Sequence, residues 1–281
     1  MDLVALASCR TLPEPDPDQA LLEDALRRRG LRAETLAWDD PEVDWTAARV
    51  VVLRSTWNYP HRPQDFLDWV DRTAARTALW NPPAVVHANI HKSYLLELQR
   101  QGVPTVPTRL LPRGSRATLR EVAGGWERVV VKPAVSAASL DTVLVQASNW
   151  PQGEAHLRRL LGARDVLVQP YLPSVEDAGE RALVFIDGAL THAVRKHPRF
   201  ASEEESVSAA LPMAEDERRL AEAALATVAA PLLYGRVDVA RDAAGAPVVM
   251  ELELMEPSLF LAQHPPALDR LTDAIARVCR E

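Results

Sequence analysis

The chain has 281 residues, room for roughly two domains at ~150 residues each. Its 47% apolar and 25% charged composition is that of an ordinary globular protein, which excludes the disordered and fibrous classes. A net charge of −7 with no long basic run argues against a partner of nucleic acid or anionic membrane, and no apolar run approaches the ~20 residues that span a bilayer.

Along the first 85 residues strand and helix alternate. The apolar run Leu3–Ala7 reads as a buried strand, which makes Leu6-Ala7-Ser8-Cys9 a strand end and not an export box, since no positive segment precedes it. A Pro/Asp-rich loop leads to a periodic helix over Asp18–Arg29, stopped by Gly30. Leu31–Ala37 and Val50–Arg54 read as further strands, with a helix over Pro63–Arg76. This β-α-β order implies a small parallel sheet with helices on its faces. Ligand chemistry in such sheets gathers at the carboxyl ends of strands, here Ser8-Cys9-Arg10 and Arg54–Tyr59.

Asn81-Pro82-Pro83 marks a boundary. Beyond it the pattern predicts a helix over Asn89–Gln101, strands near Thr108–Leu110, Val129–Lys132, Thr142–Gln146 and Val166–Gln169, and helices over Arg116–Val122 and Gln152–Leu161. Strands Arg181–Ile186 and Leu190–Lys196 are joined by Asp187-Gly188, a strong hairpin turn. An alanine-rich helix follows over Glu215–Leu233, then a second hairpin from Arg236–Arg241 and Val248–Leu254. A terminal helix spans Pro266–Arg280. Two cysteines, Cys9 and Cys279, suit a reducing cytoplasm better than a stapled secreted fold.

With 11 glycines, the glycine-dependent motifs can be checked one by one. There is no GxGxxG, no GxxxxGK[ST] and no GxSxG, so dinucleotide, P-loop and hydrolase-elbow chemistries find no support. The seven histidines lack metal spacing.

The second hairpin carries a different signal. Glu251 and Glu253 are two apart on a strand and share a face. A turn centred on Ala244-Gly245 places Asp238 opposite Glu251, with Arg236 on the same face. Three carboxylates on one side of two strands repel unless something compensates them. Hard oxygen ligands of this kind suit Mg²⁺, which binds a few carboxylates together with substrate phosphates.

Basic residues number 32, of which only Lys92, Lys132 and Lys196 are lysine. Lysine is a compact point charge where arginine is a planar fork, so each surviving lysine marks a place where the compact charge matters. Lys132 and Lys196 end strands, and Lys92 opens a helix. Gln169-Pro170-Tyr171-Leu172 offers an apolar strand end with backbone hydrogen bonds, a slot for adenine. Together these features describe a cleft for a nucleoside triphosphate and its metals.

In this order the features resemble the ATP-grasp superfamily, the carboxylate–amine ligases typified by glutathione synthetase, over about Asn89–Phe260. Asn89-xx-Lys92 with Gly102-Val103-Pro104 is similar to the first ATP lysine and its helix, and Val131-Lys132-Pro133 to the second. Gln169–Leu172 is similar to the adenine hinge, and Gly179-Glu180-Arg181 to the segment whose acid takes the ribose hydroxyls. Lys196 falls where a base meets the γ-phosphate. Arg236-Val237-Asp238 and Glu251-Leu252-Glu253 fall at the magnesium positions. Arg54–Tyr59, His192–Lys196 and Glu251–Ser258 further resemble the subgroup containing the cycloserine-forming cyclo-ligase.

The resemblance implies an α/β and α+β fold: a Rossmann-like pre-ATP-grasp domain over residues 1–85, then a two-lobed ATP-grasp domain over 86–281 with 108–172 as its smaller lobe. It implies ATP and Mg²⁺, a small-molecule carboxylate and an amine as substrates, and a homodimer. Lys196 and Arg236 would be catalytic, while Lys92, Lys132, Ser136, Gln169, Tyr171, Leu172 and Glu180 would bind nucleotide. Asp238, Glu251 and Glu253 would bind metal, and Arg10, Trp57, Asn58, Tyr59 and Ser258 would face substrate.

Three departures stand out. The loop Ala134–Leu140 has no glycine to cover phosphates, leaving that task to Ser136 and Ser139. No glycine lies between Gly188 and Gly235, and Asn58 stands where an acid is expected. The leading expectation is a ligase; the departures motivate one rival, a nucleotide-binding module without ligase activity, and a kinase of the same fold is a third reading.

Overall fold

The computed structural model describes residues 2–197 and 206–281. The first sheet is parallel, with β1 (Leu3–Ser8), β2 (Arg32–Ala37), β3 (Val50–Leu53) and β4 (Ala78–Trp80) in the order β2-β1-β3-β4. Every residue of β1 is buried, as expected of a central strand with helices on both faces. Val4, Leu6, Val50 and Val52 pack with the helices Gln19–Arg28 and Pro265–Arg280. Ala5, Ala7, Val51 and Leu53 face Phe66 and Trp69 of the helix Pro63–Ala74. The sequence pattern misses β4, whose three residues are too short to show a period.

The second sheet has β5 (Arg109–Leu111), β6 (Val129–Pro133), β7 (Val143–Val145) and β8 (Val166–Pro170), antiparallel in the order β5-β8-β6-β7. Helices Leu119–Ala123 and Trp150–Leu161 cover its inner face, to which Val129 and Val131 point. The third sheet is antiparallel as well, with β9 (Glu180–Ile186), β10 (Ala189–Lys196), β11 (Tyr234–Arg241) and β12 (Pro247–Glu253) in the order β10-β9-β11-β12. The Asp187-Gly188 turn has φ of 49° and 73°, the two left-handed residues that a tight hairpin requires.

Two expected helices are cut short. The one expected over Asn89–Gln101 spans only Tyr94–Arg100, preceded by a separate, unexpected helix Pro83–Asn89; Lys92 lies between them, its backbone N–H donating to Ala134 O at 2.7 Å. The alanine-rich helix ends at Leu225, where Thr227 Oγ1 donates to Ala224 O at 2.8 Å and Pro231 lies beyond. The short helix Ser174–Ala178 gave no periodic signal.

Candidate active site

Between the second and third sheets lies a cleft. On β6, Val130 and Lys132 face it because their neighbours Val129 and Val131 face the helices. On β11 the same alternation sends Arg236 and Asp238 to the cleft and Val237 and Val239 to the core.

A one-residue bulge sets the faces of β12. Near the turn Val239 pairs with Val249, yet Asp238 pairs with Glu251, so Met250 is the extra residue. Below the bulge Val249 faces the core. Above it the parity flips, so that Leu252 and Leu254 face the core while Glu251 and Glu253 face the cleft. The expected pairing of Asp238 with Glu251 is therefore met, by way of the bulge.

The first sheet's side of the molecule holds this strand in place. Asn89 Nδ2 donates to Leu252 O at 2.8 Å and Asn89 Oδ1 accepts from Leu254 N at 2.9 Å. Its amide thereby acts as a neighbouring strand beside the glutamates. Asn81 donates to Tyr234 O at 2.8 Å and to Leu254 O at 2.7 Å. Asp18 accepts from the backbone N–H groups of Leu259, Phe260 and Leu261. At the start of β9, Gly179 has φ +71°, and a Cβ there would lie 2.5 Å from Lys196 O. Only glycine lets Glu180 sit beside that lysine.

The charged groups form one network. Lys92 Nζ donates to Glu251 Oε2 at 2.8 Å and Lys132 Nζ to Glu251 Oε1 at 2.7 Å. Lys196 Nζ is 2.5 Å from Asp238 Oδ2 and 3.4 Å from Glu180 Oε2. Arg236 Nε donates to Asp238 Oδ1 at 2.9 Å and Nη2 to Glu253 Oε1 at 2.6 Å. Four cations thus meet four carboxylates in a site from which most water is excluded, where an unpaired charge is costly.

Burial works against the charged forms, and partner charges decide each outcome. Burial opposes the Lys92 ammonium, but Glu251 outweighs it and holds Lys92 above the ordinary lysine value. Lys196 is raised in the same way by Asp238. Glu251 is likewise opposed by burial, yet Lys132 and Lys92 hold it below the usual carboxylate range, and Arg236 and Lys196 do the same for Asp238. Glu253 goes the other way, since burial pushes it up despite Arg236. Glu256 is pushed up to about 8 by burial and by the nearby Glu253.

Beside the charges the cleft is apolar, walled by Val130, Tyr171, Leu172, Val175 and Met250. Tyr171 N donates to Arg128 O at 2.9 Å, with the Arg128 guanidinium 4.3 Å over its ring. Gln169 is buried and donates to Thr108 Oγ1 at 2.9 Å. The loop after Lys132 contributes Ser136 and Ser139. Ala138, Ser139 and Asp141 adopt φ of 48°, 57° and 56°, so a glycine-free segment takes the left-handed backbone that glycine would normally supply.

Of the sequence-derived site residues, the structure brings Lys92, Lys132, Ser136, Gln169, Tyr171, Leu172, Glu180, Lys196, Arg236, Asp238, Glu251, Glu253, Trp57, Tyr59 and Ser258 to this cleft. Arg10 and Asn58 are not among the residues that line it. Arg10 is exposed, with its backbone N–H held by Asp39 Oδ1 at 2.8 Å. Asn58 accepts from Trp38 Nε1 at 2.6 Å and donates to Asp39 Oδ2 at 2.8 Å, a corner bond. The loop beyond Lys196 lies, over residues 198–205, outside the described residues. Tyr94, Asn89, Met250 and Glu256 line the cleft without having been picked out as site residues. Val130 was recoverable from its spacing to Lys132, whereas Met250 depends on the bulge.

Asp238, Glu251 and Glu253 are hard oxygen donors of the type a Mg²⁺ site uses. As the lysines and Arg236 hold them, no group of three or more His, Cys, Asp or Glu side chains among the described residues is arranged to grip a metal by itself. The donor set fits such an ion by its chemistry, and to bind one the carboxylates would have to leave the lysines and Arg236. No helix among the described residues is long and apolar enough to cross a membrane.

Residues 4–81 match the family model described as D-cycloserine synthetase DcsG, N-terminal domain. Over its length the chain is 34% identical to the cycloserine biosynthesis protein DcsG of Streptomyces lavendulae, in an alignment covering 98% of each. A crystal structure of D-cycloserine synthetase DcsG matches with a TM-score of 0.89 at 34% identity, covering 99% of each chain. A D-alanine–D-alanine ligase from Bacillus anthracis complexed with ATP matches with a TM-score of 0.70 at 12% identity, covering 100% of this chain and 98% of that one. That last likeness is one of fold.

Proposed function

The chain belongs to the family of D-cycloserine synthetase DcsG, of which it is a full-length relative, and from that premise we propose that it is an ATP-grasp ligase that uses ATP and Mg²⁺ to activate a small-molecule carboxylate as an acyl phosphate. An amine or similar nucleophile then displaces phosphate, leaving an amide or a ring. The observation that carries this reading is the gathering of Lys92, Lys132, Lys196 and Arg236 with Asp238, Glu251 and Glu253 in one cleft beside an apolar slot.

The adenine would lie between Val130, Tyr171, Leu172 and Met250, with Glu180 toward the ribose. The lysine ammonium groups would leave their carboxylate partners for phosphate oxygens, so that the positive charge is already in place when negative charge develops on the transferring phosphoryl group. Asp238, Glu251 and Glu253 would hold Mg²⁺, which when bound polarises phosphoryl oxygens. Arg236, fixed on two sides by Asp238 and Glu253, would orient the acceptor carboxylate for attack. Trp57, Tyr59 and Ser258 would face the substrate.

Thermal-shift curves with ATP, with and without Mg²⁺, followed by hydroxylamine trapping over a panel of small acids, test the reading. Mg²⁺-dependent stabilisation and a hydroxamate from at least one acid are expected. Stabilisation with ADP release but no hydroxamate would point to a kinase, and no stabilisation would overturn the reading.

A further inference from the structure

β12 ends the third sheet, and what covers its outer edge changes at the Met250 bulge. On the turn side of the bulge the cover is backbone. Val106 N donates to Val249 O and Val249 N to Pro104 O, both at 2.9 Å. On the other side, where Glu251 and Glu253 stand, the cover is made of side chains. Leu252 N donates to Tyr94 Oη at 3.3 Å, and Leu252 O accepts from Asn89 Nδ2 at 2.8 Å. Leu254 N donates to Asn89 Oδ1 at 2.9 Å, and Leu254 O accepts from Asn81 Nδ2 at 2.7 Å. The four outward backbone groups of Leu252 and Leu254 are thus met by three side chains from one stretch, Asn81 to Tyr94.

Side chains that stand in for a strand hold the backbone and leave the carboxyl groups free to change partner. Lys92 lies between Asn89 and Tyr94 in the chain and holds the Glu251 carboxyl at 2.8 Å. That bond must give way if Glu251 is to meet a metal ion, as must those from Lys132 to Glu251 and from Arg236 to Glu253. The bonds from Asn89 and Tyr94 go to Leu252, the residue between the two glutamates, and need not break. Asn89 is itself buried, and Tyr94 packs against the core of the third sheet. A bulge disrupts the ladder locally, so the backbone just past it depends on whatever holds its free edge. Mg²⁺ demands near-ideal geometry of its oxygen ligands, so a small change in the spacing of two carboxylates weakens binding.

Resting on the ligase reading, we infer that Asn89 and Tyr94 are positioning residues for the metal-binding carboxylates. They fix the backbone of β12 beyond its bulge, and with it the spacing of Glu251 and Glu253. Their effect is carried by the strand and not by contact with the ion.

The test saturates the full chain with ADP and reads the free Mg²⁺ concentration at the midpoint of the thermal shift. Wild type, Tyr94→Phe, Asn89→Ala and Leu6→Ala are compared, and the shift with ADP in EDTA is recorded for each. Tyr94→Phe keeps the ring and loses one bond, and its Mg²⁺ midpoint is expected to rise about 2- to 10-fold, the range of one neutral hydrogen bond. Asn89→Ala loses two bonds and is expected to rise further. Both should keep the wild-type shift with ADP in EDTA. Leu6→Ala, which is destabilised in the first sheet, should keep the wild-type Mg²⁺ midpoint. An unmoved midpoint in Tyr94→Phe overturns the inference, whether or not Asn89→Ala folds. So does a Leu6→Ala midpoint that moves as far, because the effect would then follow stability and not position. A Tyr94→Phe variant that loses its ADP shift in EDTA overturns it too, by putting the phenol on the nucleotide. Each of these outcomes leaves the ligase reading standing so long as Mg²⁺ adds to the wild-type shift. If Mg²⁺ adds nothing to wild type, the ligase reading falls and this inference falls with it.

Discussion

In β1 every side chain from Leu3 to Ser8 is buried, and all but Ser8 are apolar. In β11 the residues from Tyr234 to Ala240 are buried as well, yet Arg236 and Asp238 are among them. The first sheet gains from burial whatever its neighbours are, because the hydrophobic effect has no direction. The cleft sheet gains only if each charge meets its partner, because an ion in a dry site without one is destabilising. Substitutions should therefore separate the two regions, one losing stability and the other losing chemistry.

The largest expected effect is on rate. Lys132→Ala leaves Glu251 paired to Lys92 and removes one charge from the phosphate side. Phosphate release with a turned-over acid should fall by roughly 10²–10³, the cost of losing one preorganised donor. An unchanged rate would take Lys132 out of the phosphate-binding set. Leu6→Ala is its counterpart in the first sheet. Leu6 is 1% exposed, and the truncation should cost about 2–5 kcal/mol in denaturant unfolding while the Kd for ATP stays where it was. A Leu6 variant with normal stability and weakened ATP binding would erase the contrast.

A pH titration sharpens the same comparison at the far side of the third sheet. His192 is buried on β10, bonded through Nε2 to Leu259 O at 3.1 Å and stacked on His264. Burial, with His264 adding to it, lowers its pKa to about 4 from 6.5. The unfolded chain therefore takes up the proton first as pH falls. Stability is whole above pH 6.5 and declines between there and about 4. Unfolding midpoints across that window should show the decline in wild type and a flatter line in His192→Gln. The smallest effect belongs to Ala138→Gly. A left-handed alanine is strained by ~1–2 kcal/mol, and glycine's extra chain entropy offsets part of the relief. A net change within about 1 kcal/mol is expected, measured as a shift in unfolding midpoint. A large loss would mean that the alanine methyl is packing and not merely tolerated.

How much of this was legible beforehand varied with the kind of signal. The strands of the first sheet and the lysine-bearing strands β6 and β10 announced themselves through apolar runs and alternation. β4 and the helix Ser174–Ala178 did not, because three to five residues carry no period. The helix expected over Asn89–Gln101 starts only at Tyr94, after Lys92 has bonded the backbone of Ala134, more than forty residues away. Asn58 lay in a motif that resembled a substrate wall, but its side chain ties Trp38 to Asp39. Glu256 lay inside the Glu251–Ser258 motif without being picked out, and its place on the cleft wall is visible only once the cleft is assembled.

The sequence by itself determined which residue types could do this chemistry: three lysines in an arginine-rich chain, and a hairpin with Asp238, Glu251 and Glu253 on strands whose period is two. Those are local properties, fixed by residue identity and by the geometry of an extended backbone. Only the tertiary structure decided that Met250 bulges out and turns Glu251 and Glu253 toward the cleft while Val249 stays in the core. A bulge is settled by what packs against both faces of the hairpin, here the helix Glu215–Leu225 beneath it and the Asn89 amide along its edge. The helix comes just before the hairpin in the chain, but Asn89 lies 163 residues from Leu252, and no local pattern announces that contact.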